Sequence, residues 1–314
     1  MADVIVIGSG VSGLTTAVRL AETGRKVVIW TAQPPHRTTS AAAGAIWGPY
    51  LVEPWDRVLE WSRQSLIEFR KLAEDPRTGV RMTTGIEASR RPMAEPPWAS
   101  LVPNMERWGD LPNGFVDGFR YTVPVIDMPV YLSYLHQRLV TAGGTIEIRP
   151  VHTLEEAPVA EAVVNCSGLG AKELVPDHDL RPIRGEIVII KNPGIDEFFS
   201  EDTGLSAELC CIYPHGSTAV LGGTAEDNDL GGGRNANRAR SIVARCAAVI
   251  PAIADAQVID HRVGFRPTRP SVRVQETAVS AGARLIHNYG HGGAGVTLSW
   301  GCAEAVSRII DDPN

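Results

Sequence analysis

His287-Asn288-Tyr289-Gly290-His291-Gly292-Gly293-Ala294-Gly295-Val296-Thr297 is the stretch that decides the fold. Four glycines within six residues separate an apolar strand, Arg284-Leu285-Ile286, from a helical pattern that runs to Ile310. Glycine takes backbone conformations closed to other residues, and without a Cβ it lets N–H groups approach a ligand closely. Where such a turn opens a helix, unpaired N–H groups and the helix dipole favour negative charge. A second turn of the same kind, Gly8-Ser9-Gly10-Val11-Ser12-Gly13, lies near the other end of the chain. Two such turns predict one large cofactor gripped at two places.

The first turn sits inside a βαβ unit. Val4–Ile7 is apolar throughout, Leu14, Val18 and Ala21 recur at helical spacing, Gly24 ends that helix, and Val27–Trp30 forms the next strand. This pattern begins a parallel sheet with helices on its faces. Gly8 permits the tight turn, Gly10 the approach of backbone to a pyrophosphate, and Gly13 the packing of helix on strand. The second strand ends Trp30-Thr31-Ala32-Gln33, without the acidic residue that holds the ribose hydroxyls of NAD. Thr31 and the backbone near Ala32 are the candidates for that contact. The gap argues against NAD and for a cofactor with a second anchor. Arg37 lies too far past the strand for a 2′-phosphate.

The chain of 314 residues is long enough for two domains. Its net charge of −6 and lack of a Lys/Arg cluster exclude a nucleic-acid footprint, and no run reaches the length of a membrane span. A strand starts almost at the N-terminus, so no signal peptide is expected, and five cysteines without framework spacing predict reduced thiols in a cytoplasm. Cys210 and Cys211 are expected on opposite faces of a strand. Helices are predicted over Arg57–Ala73, from an Asp127 cap through Thr141, and over Ala236–Val249. Residues 84–128 read as irregular with short strands near Gly114–Val123. Arg184–Ile190, Leu209–Tyr213 and Ala219–Gly222 read as an antiparallel group, and Val258–Phe265 and Ser271–Val274 as two separate strands.

The run HNYGHGGAGVTLSWG at residues 287–301 resembles the signature of the D-amino-acid oxidase family of flavoproteins. VIGSGVSGL at 6–14, TTSAAAGAIWGPY at 38–50, VVNCSG at 163–168, VLGGT at 220–224 and GFRPTRPSVRVQ at 264–275 are similar to the family in the same order. The resemblance implies FAD as cofactor and an α/β fold. A Rossmann-like FAD-binding domain (1–48, 129–182 and 285–314) would be joined to a discontinuous α+β substrate domain (49–128 and 183–284) built on an antiparallel sheet. Ser9, Gly10, Val11 and Ser12 match the pyrophosphate turn. Thr38, Thr39 and Ser40 match the loop along the phosphates and ribityl chain, and Ala45 and Ile46 the contacts near the isoalloxazine. Val151 matches the adenine contact and Ser167 the middle-strand contact. Gly292, Gly295, Val296 and Thr297 match the groups on the flavin's pyrimidine side.

Arg266 matches the family's substrate-carboxylate arginine; a planar guanidinium gives a carboxylate two parallel bonds. Arg269 and Arg273 are the weaker candidates. Gly293 matches the carbonyl that receives the substrate amine. The reaction implied is oxidative deamination of neutral D-amino acids to 2-oxo acids, ammonia and hydrogen peroxide, by hydride transfer from Cα to flavin N5. A small D-amino acid and dioxygen would be the partners, with no nucleic acid or membrane, and family habit implies a homodimer. A flavin-dependent D-amino-acid dehydrogenase using another acceptor, or a D-aspartate or glycine-type oxidase, stays open as the alternative.

The chain also departs from the family. Cys211 stands in register with the second active-site tyrosine of mammalian members, and Tyr213, two residues on and so on the same face, is the candidate to replace its hydroxyl. The lid tyrosine has no counterpart in Gly204-Leu205-Ser206-Ala207. Gly48 replaces a glutamine. No Arg or Lys lies between Leu205 and Thr218, which disfavours acidic substrates, and His215 reads as an exposed turn residue. His291 is expected to bond backbone or line the flavin edge, and His287 to be structural.

Overall fold

The computed structural model describes residues 2–49, 52–156, 160–201, 208–231, 233–277 and 284–312. The lid segment Gly204–Ala207 therefore lies outside the described residues. In chain order the elements are β1 (Val4–Ile7), α1 (Val11–Glu22), β2 (Val27–Thr31), α2 (Trp55–Leu72), β3 (Val80–Ser89), β4 (Glu106–Arg107) and β5 (Asp117–Ile126). There follow α3 (Met128–Thr141), β6 (Thr145–Ile148), β7 (Ala162–Asn165), α4 (Ala171–Leu174), β8 (Arg181–Lys191), β9 (Phe198–Glu201), β10 (Glu208–His215) and β11 (Thr218–Thr224). The last are β12 (Glu226–Asp227), α5 (Ala236–Val249), β13 (Val258–Thr277), β14 (Arg284–His291) and α6 (Gly295–Asp311).

Five strands, in the order β14-β7-β1-β2-β6, are parallel. Every residue of β1, β2 and β7 is buried, as expected for strands covered on both faces. Helix α1 lies so close to β1 that a Cβ on Gly13 would overlap the Gly8 carbonyl. Helix α6 crosses α2 at Gly301, where a Cβ would overlap the Trp61 backbone.

The same sheet continues through β13-β8-β11-β10-β9-β3-β5-β4. This part is antiparallel except for the β3–β9 pair. Its outer face carries Val188, Ile190, Cys210, Ile212 and Leu221, which pack with Ile242 and Cys246 of α5. Ile187, Ile189, Val220 and Tyr213 cluster on the inner face. Cys210 thus faces the α5 core and Cys211 the other side.

Three expectations need correction. The segment Val258–Thr277 is one strand, not two: Val258–Thr268 pairs with β8 and Thr268–Thr277 with β14. Pro267 and Pro270 mark where the strand changes partner, which is where a missing N–H costs least. Residues 90–116 are irregular as expected, apart from the short β4, but the strands that flank them are longer than expected: β3 and β5 pair continuously from Val80↔Ile126 to Ser89↔Asp117. Asp127 occupies the N-cap of α3 but makes no side-chain capping bond; Pro129 in the first turn starts the helix instead.

Candidate functional site

The two glycine turns, almost 280 residues apart in the chain, are stitched together side by side. Thr15 Oγ1 of α1 donates to the Ser299 carbonyl of α6 at 3.2 Å, and Asn288 Nδ2 donates to Thr16 Oγ1 at 3.0 Å. His291 joins the two turns through Ser12 Oγ (3.4 Å to Nδ1) and Asn288 Oδ1 (3.0 Å to Nε2). Its partners are therefore side chains, not the expected backbone. Burial lowers its pKa to about 4, so it sits there as a neutral clasp.

Neither α1 nor α6 carries a side-chain cap: Gly10 and Ala294 hold the N-cap positions and neither makes such a bond. Helix starts without caps, side by side and glycine-lined, form a surface suited to phosphate and to the polar edge of a ring. Gly8, at φ 105°, makes the turn, and a Cβ there would stand 2.6 Å from the Cys166 carbonyl oxygen. Ser167 lies beside it, with its N–H and Oγ both bonded to Asn165 Oδ1. Ser40 reaches into the first turn and accepts the Val11 N–H at 3.0 Å. At Gly10 a Cβ would meet only this Ser40 hydroxyl, at 3.2 Å.

The segment 38–48 connects the two turns. Ser40 holds one end, and at the other Thr297 Oγ1 donates to the Gly48 carbonyl and accepts the Gly48 N–H, each at 3.1 Å. Between them Ala45 is held at φ 46°, a left-handed conformation unusual for a residue with a Cβ, and Ile46 bridges to Val125. Such outliers persist where surroundings over-determine them, and here the Ala45 carbonyl is tied to the Ile126 N–H.

At the β2 end, Thr31 is buried and its hydroxyl donates to the Gln33 carbonyl at 2.8 Å while contacting Ser9 Oγ at 3.0 Å. Its proton is thus committed inside the chain, while Ala32 is exposed. Val151 packs on the cluster that contains Trp30, and the Arg149 guanidinium lies 3.6 Å from the centre of the Trp30 ring. Sequence reasoning missed Arg149, because nothing local pairs it with a residue of β2.

The inner face of the antiparallel strands closes the other side. A Cβ on Gly44 would stand 3.3 Å from Tyr213 Cδ2 and from Val220 Cγ1, so the 38–48 segment lies directly on these side chains. Arg266 extends across Gly185 of β8, where a Cβ would stand 2.5 Å from Nη1, and donates to the Thr224 carbonyl at 3.0 Å. Arg269 and Arg273 go elsewhere. Arg269 pairs with Asp177 at 2.9 Å and with Asp179, and Arg273 donates to Tyr289 Oη, which in turn donates to Asp177. Position along β13 sets Arg266 close to the second turn: Thr268, two residues on, pairs with His291, and Gly293 follows two residues after that.

Tyr213 Oη lies 3.0 Å from Ser200 Oγ, and burial pushes its pKa well above the ordinary value, so it is a neutral hydroxyl. Cys211, on the same face, has its thiol pushed up to about 12 by desolvation. His215 corrects the expectation of an exposed turn residue. It ends β10 on the inner face, with Nε2 buried and unpartnered among the described residues and a hydrogen bond to the Gly44 backbone of the 38–48 segment. Burial lowers its pKa, so it supplies no cation for an acidic substrate. His287, bonded to Thr277 Oγ1 at 3.1 Å and lowered to about 4 by burial, is likewise neutral.

A parallel βαβ sheet, two helix starts side by side whose N-cap residues make no side-chain bond, and a guanidinium on the antiparallel continuation of the same sheet fit an FAD-dependent oxidoreductase. The family model described as FAD dependent oxidoreductase matches residues 3–309, and the chain belongs to that family. It is 45% identical to the D-amino-acid oxidase of Rubrobacter xylanophilus, over 98% of this chain and 96% of the relative. It is 44% identical to the D-amino-acid oxidase of Streptomyces coelicolor, over 98% and 96%. The glycine oxidase of Geobacillus kaustophilus shares the fold, with a TM-score of 0.83 at 19% identity over 99% of this chain and 94% of the other. Among the described residues no helix is long and apolar enough to cross a membrane.

Proposed function

We propose that this protein is an oxidase of neutral D-amino acids, converting them with dioxygen and water to 2-oxo acids, ammonia and hydrogen peroxide. The observation that carries the reading is the position of Arg266, two residues before the β13–β14 pairing that fixes the second glycine turn. Arg266 binds the carboxylate through its planar fork. The Gly293 carbonyl orients the amine, and Tyr213, a neutral hydroxyl on the same face, lines the site beside them. Held at both groups, the substrate presents its Cα–H toward the turn, and most of the rate comes from this positioning. FAD, when bound, would supply the electron acceptor and the route from substrate to dioxygen. The chain need furnish no side-chain base, because the amine enters neutral.

FAD would run from Ser9, Gly10, Val11 and Ser12 at the pyrophosphate to Gly292, Gly295, Val296 and Thr297 at the flavin. Thr38, Thr39, Ser40, Ala45 and Ile46 would lie along it, with Ser167 beside the first turn and Thr31, Ala32 and Val151 at the adenosine end. We divide the chain into an FAD-binding domain (1–48, 129–182, 285–314) and a substrate domain (49–128, 183–284), a reading supported by the change from parallel to antiparallel pairing. We further read the protein as a cytoplasmic homodimer; five free cysteines fit a reducing compartment.

The test is the absorbance of the FAD-loaded protein under argon with D-alanine, and with L-alanine as control. Bleaching by the D-enantiomer alone, with peroxide on admitting air, is the expected result. A flavin reduced by L-alanine, or reduced by D-alanine but reoxidised without peroxide, would overturn the proposal.

A further inference from the structure

Thr224, the last residue of β11, links two other strands. Its Oγ1 accepts the Glu186 N–H of β8 at 3.0 Å, and its carbonyl accepts Arg266 Nη1 of β13 at 3.0 Å. The first of these is a bond that a backbone carbonyl makes in an unbroken ladder. Registry shows why a side chain makes it here. Gly222 of β11 pairs with Ile187, but Glu226 of β12 pairs with Arg184. Four residues on one side therefore span three on the other, which is a bulge, and a bulge interrupts the ladder. Thr224 and Glu186 are both buried, so the Glu186 N–H needs an acceptor from within the protein. The Thr224 hydroxyl supplies it, and the Thr224 carbonyl serves the guanidinium instead.

The strand beneath the guanidinium is held from behind. Arg266 pairs with Ile183, so its side chain runs two residues along β8 to reach Gly185. A Cβ there would stand 2.5 Å from Nη1 and 2.8 Å from both Cζ and Nη2, so the guanidinium rests on bare backbone. Arg184 and Glu186, on either side of Gly185, turn to the opposite face. There they form a buried ion pair. Arg184 also donates to the Gly231 and Gly233 carbonyls at 3.0 and 2.9 Å, and Glu186 accepts from Arg238 at 3.2 Å. This network keeps Gly185 from receding. The Thr224 hydroxyl ties the end of β11 to the same clamped strand, and so sets where the carbonyl meets Nη1.

Resting on the functional reading above, we propose that Thr224 is a positioning residue for substrate binding, whose hydroxyl fixes the carbonyl that orients the Arg266 guanidinium toward the substrate carboxylate. A planar fork gives two parallel bonds only when its direction is set, so turning it weakens carboxylates and leaves neutral ligands nearly unaffected. Valine keeps the branched shape of threonine but offers the Glu186 N–H no acceptor. The end of β11 then shifts to bring its carbonyl to that N–H, and the guanidinium loses its anchor.

The test measures binding of propionate and of its neutral analogue propionamide, from the change in the flavin spectrum. It uses the FAD-loaded wild type, Thr224→Val, Thr224→Ser, Arg266→Ala and the double variant Arg266→Ala with Thr224→Val. The wild type should prefer propionate. Thr224→Val should lower that preference about tenfold, the loss of one charge-assisted bond, and Thr224→Ser should recover it to within about threefold of wild type. In the Arg266→Ala background Thr224→Val should lower it no further, because the two residues act through one interaction. A role in stability alone would move the thermal midpoint and leave the preference as it was. If Thr224→Val does not hold FAD, Thr224→Ala set against Thr224→Ser makes the same comparison. An unchanged preference without the hydroxyl, losses that multiply in the double variant, or equal binding of the two ligands by the wild type overturns the assignment of Thr224. Absence of flavin reduction by D-alanine in the wild type overturns the oxidase reading instead, and the propionate comparison still decides the role of Thr224.

Discussion

Replacing Arg266 by alanine removes a guanidinium that lies across Gly185 and bonds the Thr224 carbonyl, and it leaves the Asp177 cluster of Arg269 and Arg273 intact. A carboxylate held by two charge-assisted bonds loses about 1.5–3 kcal/mol for each. Together this is about 3–6 kcal/mol, or roughly a hundred- to ten-thousandfold in kred/Kd. Stopped-flow reduction of the FAD-loaded variant by D-alanine under argon measures it directly, and the flavin spectrum and thermal midpoint establish that the fold and cofactor are retained. Arg269→Ala is the matched control. It removes the 2.9 Å partner of Asp177, whose carboxyl is held below its usual range despite burial by Tyr289 and Arg269. Its cost should fall on stability, by about 1–3 kcal/mol, with kred/Kd within about threefold. The assignment fails if Arg266→Ala keeps kred/Kd within threefold, or if Arg269→Ala is the slower enzyme at equal stability.

Gly185→Val inserts atoms where the Arg266 guanidinium rests; the guanidinium is the mobile end of its side chain, so it should shift, raising Kd for D-alanine about tenfold with FAD binding unchanged, as titration of each separately would show. Gly13→Ala, whose Cβ would overlap the Gly8 carbonyl, should abolish FAD retention on gel filtration; a yellow variant of normal stability would refute the close packing of α1 on β1. His291 has a folded pKa of about 4, below its usual 6.5, so the unfolded chain binds the extra proton: its contribution is complete above pH 6.5 and is lost as pH falls toward 4. Over that window the urea midpoint should fall, by about 3 kcal/mol in free energy from this residue alone, and His291→Asn should flatten the slope. An equally steep slope in that variant would show that other groups set the acid limit.

The glycine turns were legible because their spacing is local and glycine leaves few alternatives beside a strand and a helix. The βαβ unit at Val4–Trp30 and the antiparallel group around Val220 were legible for the same reason. Among three arginines within eight residues, only the resemblance pointed to Arg266; the burial of Arg269 and Arg273 against Asp177 depends on a contact across about 90 residues, and no periodicity records it. The continuity of β13 was hidden because Pro267 and Pro270 signal a break locally, whereas the strand only exchanges one neighbour for another. His215 read as a surface turn because its cover, the 38–48 segment, lies far away in sequence. Arg149 escaped for a like reason: it matters only beside a partner that tertiary pairing delivers.

The exchange of partners along β13 has a mechanical consequence. One unbroken strand of 20 residues is hydrogen-bonded first to β8 of the antiparallel part of the sheet and then to β14 at the edge of the parallel part. The jaws of the site are therefore parts of one fabric, and their spacing is counted in residues: two from Arg266 to Thr268, one rung across to His291, two to Gly293. A hinge between the halves would have to tear a row of backbone hydrogen bonds, so entry and exit of small molecules fall to the loops at the rim. Such a ruler tolerates drift in the outer strands, where side-chain preference can change, while the distance at which the chemistry occurs stays fixed.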